Sequence, residues 1–429
     1  MKESGIAWIG EIPEDWQPTK IKYVSKIAPK VDIPAEGEIG YLPMECLKRG
    51  YMEPQKKEVT ELSASLNSFQ DGDIVLAKVT PCFENGNIAI AQNLCNGVAL
   101  GTSEIFVFRP HIINTKFMFY YMSNPIFTQN CASTMTGTGG LKRISPYYIT
   151  NYLFYAPSED EQQRIADYLD AQCAKIDSTI AKTQQIIEKL KAYKQSVITE
   201  AVTKGLNPDA PMKDSGIEWI GEIPEHWGVG KTRYALAMAI TDGPHETPEL
   251  FSEGIPFISA EAVSCGNGKI DFSHMRGYIS QEFYNECCKK YIPKINDIYM
   301  IKSGATTGRV SIVDTEDVFT IWSPLAVFRC ENDIYHYLYM FYFLQSDSYQ
   351  KQIQDKWSFG TQQNIGMRTL EKLFLCFPPK TEQQQIVSYL DDKCVKIDEY
   401  ITKKQEVIDK LTAYKKSLIF EVVTGKKEI

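Results

Sequence analysis

The sequence predicts an α+β protein built twice over: two β-rich domains separated by two long antiparallel coiled-coil helices, related by a pseudo-two-fold internal repeat. Three observations predict it. A 15-residue motif, KESGIAWIGEIPEDW at Lys2–Trp16, returns as KDSGIEWIGEIPEHW at Lys213–Trp227 with 12 identical positions. A longer block, Glu161–Thr203, returns without a gap at Glu382–Thr424. Between these matched ends lie two segments that resemble each other only faintly. The chain therefore reads constant, variable, constant, and then the same again.

The duplicated block is helical by its spacing. Leu169, Ile176, Thr183, Leu190 and Val197 recur every seventh residue, with Cys173, Ile180, Ile187 and Ala201 at the offset positions. The second copy repeats this with Leu390, Ile397, Leu411 and Leu418, offset by Cys394, Ile401, Ile408 and Val422. Such a repeat is a coiled-coil seam. Each helix of roughly 40 residues is about 60 Å long. Its narrow stripe needs a partner, and the other copy, antiparallel, supplies one. Leu169, Ile176, Ile180, Ile187, Leu190, Leu390, Ile397, Ile401, Ile408 and Leu411 are the expected seam. Gly205 and Gly425 are plausible C-terminal stops. Two near-copies also present two equivalent surfaces, which suits two copies of one partner.

The variable segments carry short apolar runs separated by glycine-rich loops. They are DIVLAKV, NIAIAQ and EIFVFRP in the first half, and DIYMIKS, RVSIVD and LAVFRC in the second. These read as strands. Aromatic-rich stretches, KFMFYYMSN and YHYLYMFYFLQSDSYQKQI, read as core helices. The halves echo each other at Asp73-Ile74 with Lys78 and Asp297-Ile298 with Lys302. They do so again at Val107-Phe108-Arg109 and Val327-Phe328-Arg329. The expected organisation is a first β-rich domain over residues 1–157, a central helix over 158–204 and a linker over 205–211. A second domain over 212–379 and a distal helix over 380–429 follow.

Two polar, glycine-bearing loops recur in each half. One follows the DIxxxK strand and holds Lys78 and Thr80, matched by Lys302, Ser303, Thr306, Thr307 and Arg309. The other precedes the long helix and holds Thr136, Thr138, Lys142 and Arg143, matched by Gln362, Gln363 and Asn364. Hydroxyls and backbone N–H groups suit phosphate, and Lys, Arg, Gln and Asn pair with base edges. These residues are the expected DNA contacts.

Composition bounds the alternatives. The net charge of −8 argues mildly against nucleic acid, but potential is local over a Debye length of about 10 Å. Eleven cysteines without a CxxC pair suggest reduced thiols and no structural zinc. The polar N-terminus and the lack of a long apolar run suggest a cytoplasmic protein without membrane spans. Catalytic signals are weak. Gly304–Arg309 lacks the GK[ST] ending of a phosphate-binding loop. Asn124-Pro125-Ile126-Phe127 has only one of the two prolines of an adenine-methyltransferase tetrapeptide. Asp71, Asp73 and Lys78 form a nuclease-like trio that the second half keeps only in part. No catalytic residue and no metal site is expected.

The two WIGEIPxxW motifs, the EQxxI opening of each long helix, the heptads and the junction Thr203–Trp227 resemble type I restriction-modification specificity subunits. The resemblance covers the entire chain. It implies two target recognition domains, each reading one half of a bipartite site on double-stranded DNA. It implies helices that set the spacing and dock two methyltransferase subunits, joined by two restriction/translocase subunits. This chain would bind no cofactor: S-adenosylmethionine, ATP and Mg would sit in the partners. The assembly would act as an adenine N6-methyltransferase and ATP-dependent endonuclease. The rival reading is a two-armed coiled-coil scaffold that does not touch DNA.

Overall fold

The computed structural model describes residues 1–63, 65–138, 140–359 and 363–429. They form two compact units, Met1–Gln184 with Gln405–Ile429, and Gln185–Lys404. Each unit holds one variable segment and parts of both long helices. No helix among the described residues is long and apolar enough to cross a membrane.

The main sheets of the two variable segments share one strand order despite divergent sequences. In the first unit an antiparallel sheet runs in the order Ser25–Ile27, Ile105–Pro110, Ile74–Ala77, Ile88–Ile90. In the second the order is Thr241–Asp242, Leu325–Phe328, Ile298–Ile301, Val310–Ile312. In each half two of the apolar runs are central strands of this sheet and the third an edge strand, and every residue of Ile74–Ala77, Ile298–Ile301 and Leu325–Phe328 is buried. A strand covered on both faces reads as a continuous apolar run rather than an alternation. A second sheet in each unit contains one parallel pair, Glu38–Leu42 with Val98–Gly101 and Ile255–Ile258 with Thr320–Ile321.

The echoed Asp and Arg are the two ends of one bond. Asp73, buried at the entry of its strand, takes Arg109 Nε at 2.7 Å and Nη2 at 2.8 Å. Asp297 takes Arg329 Nε and Nη2, both at 2.7 Å. A buried carboxylate is tolerated when paired and hydrogen-bonded. The nuclease-like trio dissolves here: Asp73 is occupied by Arg109, and Asp71 Oδ1 accepts from Leu94 N. Asn124 of the methyltransferase-like tetrapeptide caps a helix, accepting from Phe127 N at 2.8 Å. Burial pushes the Cys330 thiol up to about 12 and the Cys394 thiol to about 11, away from the reactive thiolate form.

The long helices run over Glu159–Lys204 and Lys380–Val423. Both end in a left-handed glycine, Gly205 at φ +76° and Gly425 at φ +69°. A side chain at Gly425 would run into Pro13, and one at Gly205 into Trp227.

In the first unit Leu169, Cys173 and Ile176 share a core with Leu418, Ile419 and Val422. Lys415 Nζ meets Asp177 at 2.6 Å there. In the second unit Val197, Ile198 and Ala201 share a core with Ile386, Leu390 and Cys394, and Lys194 meets Asp398 at 2.6 Å. The predicted antiparallel pairing is therefore present in each unit. Asp177 and Asp398 are the same position of the duplicated block, as are Lys194 and Lys415. One ion pair is made twice, each time with one member from each copy.

Of the expected seam, Leu169, Ile176, Ile187, Leu390 and Ile397 are buried. Ile180, Leu190, Ile401, Ile408 and Leu411 are half-buried. Leu169, Ile176 and Leu390 sit in cores that take in residues of a β-rich domain, whereas Ile187 and Ile397 are buried along the helices outside those cores.

Both ion pairs are partly exposed, so each contributes about 0.2–1 kcal/mol. The D177K variant should lose up to about 1 kcal/mol of stability, and D177K/K415D should regain most of it. Urea unfolding of the two single variants and the double variant measures the coupling. A coupling of zero would mean that the pair only decorates the helices.

Candidate DNA interface

The duplicated motifs meet at the base of each domain. Trp16 Nε1 donates to Glu161 at 3.3 Å, and Trp227 Nε1 donates to Glu382 at 2.9 Å. Both indoles are buried, so the glutamate that opens each long helix satisfies the one polar atom of the ring. The next residue, Gln162 or Gln383, donates to Pro157 O or Pro378 O and accepts from Asn114 N or His336 N. Tyr120 and Tyr342 donate to Asp170 and Asp391, each at 2.6 Å. These contacts fix each domain to its helix. Recurrence in both halves was their only sequence signal.

Above this base, the structure brings the two loop types together. In the first unit Thr136–Thr138 and Leu141–Arg143 form a hairpin whose strands are exposed throughout. Its second strand is laced to the Lys78 loop. Thr80 N donates to Lys142 O at 3.0 Å and Ile144 N donates to Lys78 O at 3.1 Å. Thr80 Oγ1 donates to Gly140 O at 2.8 Å and accepts from Lys142 N at 2.9 Å. Thr80 is therefore a fastener of the hairpin. Lys142 is exposed. Arg143 grips Glu104 with Nε at 2.9 Å and Nη2 at 3.1 Å. This bond, followed in effect by the nearby Lys78 charge among others, holds the Glu104 carboxyl below its usual range. Lys78 is half-buried, its ammonium 5.6 Å from the centre of the Phe106 ring.

The second unit repeats the lacing with other side chains. Gly304 N donates to Gln363 O at 3.0 Å and Ile365 N donates to Lys302 O at 2.9 Å, with Ser303 bridging Asn364. Lys142 and Arg143 thus correspond in register to Gln363 and Asn364, and buried Ile144 corresponds to buried Ile365. Gln363 is half-buried and Asn364 exposed, whereas Gln362 lies outside the described residues.

Other predicted contacts are engaged within the protein. Lys302 is 12% exposed and sits 3.3 Å from Asp242, which is fully buried and also pairs with Lys290 and, at 3.1 Å, with His245. Thr307 Oγ1 donates to Gly304 O at 2.7 Å, and Arg309 Nη1 donates to Ser264 O at 3.1 Å. Thr306 is half-buried and its carbonyl accepts from Arg309 N. Glu104 and Asp242 were not foreseen. Each lies dozens of residues from the cation it holds, and no local pattern marks it.

A second surface lies on the helices. Ile186 and Tyr193 are 41% and 54% exposed, and their duplicates Val407 and Tyr414 are 41% and 53% exposed. Residues seven apart share a helix face. Each copy therefore shows the same outward apolar pair, distinct from the seam.

Comparison with known proteins gives these arrangements a context. The chain is 32% identical over 226 residues to the type I restriction enzyme EcoAI specificity subunit of Escherichia coli, covering 51% of this chain and 37% of that protein. It is 33% identical over 199 residues to the EcoEI specificity subunit of Escherichia coli, covering 45% of this chain and 33% of that protein. The chain thus spans about a third of the length of these two relatives. With the type I restriction enzyme MjaVIII specificity subunit of Methanocaldococcus jannaschii, identity is 24% over 97% of this chain and 93% of that one.

Among solved structures, the fold matches a chain from a study of complex assembly and conformational transition of the type I R-M system. Its TM-score is 0.72 at 17% identity, over 97% of this chain and all of the other. The HsdS subunit from Thermoanaerobacter tengcongensis matches over the full length of both chains with a TM-score of 0.51 at 17% identity. The model of the type I restriction modification DNA specificity domain matches residues 13–192 and 245–410. With most of its length covered by two copies of that one domain, the chain belongs to the type I restriction modification DNA specificity family.

Proposed function

We propose that this chain is the address-reading subunit of a type I restriction-modification complex and carries no chemistry of its own. Each unit reads one half of a bipartite site on double-stranded DNA. Thr136, Thr138, Lys142 and Arg143 act in one half-site, and Gln363 and Asn364 in the other. The observation that carries this reading is the matched lacing. One backbone frame displays Lys-Arg in the first unit and Gln-Asn at the same register in the second. A shared frame with different tips suits two different half-sites. Lys78 and Lys302 anchor the frame.

The long helices set the spacing of the half-sites and dock two methyltransferase subunits, and the repeated outward pair supports two equivalent docking faces. S-adenosylmethionine belongs to those partners, and ATP and Mg to two restriction/translocase subunits. The compartment is the cytoplasm. Nothing in either unit favours the scaffold reading.

The test is sequencing of DNA methylated by the chain reconstituted with its methyltransferase partner. Two half-motifs with a fixed gap are expected, together with binding that weakens steeply as salt rises. Gln363→Ala should change discrimination at one position of one half-site by about 1–3 kcal/mol and leave the other half-site intact. Salt-insensitive binding without sequence preference would support the scaffold instead.

A further inference from the structure

The Arg143–Glu104 pair goes a step further, on the assumption that the first hairpin reads DNA. A guanidinium carries five N–H donors in a planar fork. Glu104 occupies the Nε edge, taking Nε–H and one hydrogen of Nη2. What remains is the end of the fork: both hydrogens of Nη1 and the second of Nη2. Two parallel donors at that spacing match the O6 and N7 acceptors that guanine shows in the major groove.

A phosphate would accept the same two bonds, and charge separates the two targets. The pair is neutral as a unit, and its carboxylate repels a phosphate, whereas a base edge carries no net charge. Both members are also held by their backbones. Arg143 is paired to Thr136 across the hairpin and bridged to Val79. The Glu104 carbonyl accepts from Lys78 N at 3.0 Å. A fork fixed in advance loses little freedom on binding.

The second unit supplies a contrast. Lys302 N donates to Pro324 O there, as Lys78 N does to Glu104 O. Pro324 thus takes the place of Glu104, and Asn364 takes the place of Arg143. The carboxylate is present where the arginine is, and absent where it is not.

We infer that Arg143 reads a guanine end-on in the half-site of the first unit, and that Glu104 is the positioning residue that presents it. The experiment uses the complex reconstituted with its methyltransferase partner and duplexes carrying the motif found for the wild type. Arg143→Ala should cut the preference for guanine at one position by about 5- to 150-fold and leave every other position unchanged. Replacing that guanine with 7-deazaguanine, which lacks the N7 acceptor, should weaken wild-type binding and leave the R143A complex indifferent.

Arg143→Lys keeps the charge but loses the fork, so overall affinity should persist while the preference falls. Glu104→Ala frees the arginine for phosphate. The preference should fall at the same position while the dependence of binding on salt becomes steeper, a change that mere loosening of the hairpin would not produce. If R143A weakens all sequences alike and reduces the salt slope by about 1, Arg143 is a phosphate contact and the assignment is wrong. It is equally wrong if the affected base is not guanine, or if E104A leaves the preference intact. Those results leave the specificity-subunit reading standing. Absence of any bipartite motif in the wild type would overturn both.

Discussion

Asp297→Ala should destabilise the second unit by about 3–5 kcal/mol, the range for breaking a buried ion pair. The carboxylate is buried and accepts four bonds, two from Arg329, one from Tyr291 and one from Lys294 N. Its removal takes this acceptor from a cation, an amide and the Tyr291 hydroxyl, which keeps the Tyr299 hydroxyl at 3.0 Å as a partner. Arg329 keeps some relief, since its side chain is partly exposed and Nη2 also donates to Ile292 O at 2.9 Å. The lower half of the range is therefore expected.

Asp73→Ala in the first unit should cost less. Asp73 accepts from Arg109 and from Gln70 N at 2.9 Å, with no tyrosine in the set. Hydrogen exchange of the Ile298–Ile301 and Ile74–Ala77 strands reads each unit separately. Equal losses of protection in the two variants would show that the Tyr291 bond, the one without a counterpart in the first unit, contributes little.

The second large effect concerns the outward apolar pairs. Tyr193→Asp should abolish docking of one methyltransferase subunit, and Y193D/Y414D should abolish both, with methylation falling by more than tenfold. A charge buried at an interface without a partner costs several kcal/mol, and a few aromatic anchors dominate most interfaces. Both tyrosines are exposed in the free chain, so folding should be unaffected. Mass measurement of the assembled complexes distinguishes one partner from two. Normal assembly of the double variant would place docking elsewhere.

How much of this was legible in the sequence depends on what repetition could reveal. The frame was fully visible, because duplication marked Trp16, Glu161 and the heptads, and the helices follow from spacing alone. The Asp–Arg echo was visible as an echo. Its meaning was not, because a bond across 36 or 32 residues has no local spacing to betray it. The loops were marked by composition, and the two types do meet in each unit. Which of their side chains stay available was hidden. Lys302 reads like Lys78 in sequence, yet Asp242, far from it in the chain, holds it. Periodicity likewise located the seam without grading it. Ile180, Leu190, Ile401, Ile408 and Leu411 have the right spacing but are only half-buried.

The lacing under the reading loops runs mainly through backbone atoms and Thr80, and it ends in a buried isoleucine. The residues on it, Lys142 and Arg143 in one unit and Gln363 and Asn364 in the other, contribute main-chain atoms to the ladder, and all but half-buried Gln363 are exposed. Substitutions at such sites shift stability by about 0.5 kcal/mol or less. If these residues read DNA as proposed, drift there would rewrite the address almost independently of whether the chain folds. On that reading a new address is reachable by point mutation, with the long helices and the cores left as they were.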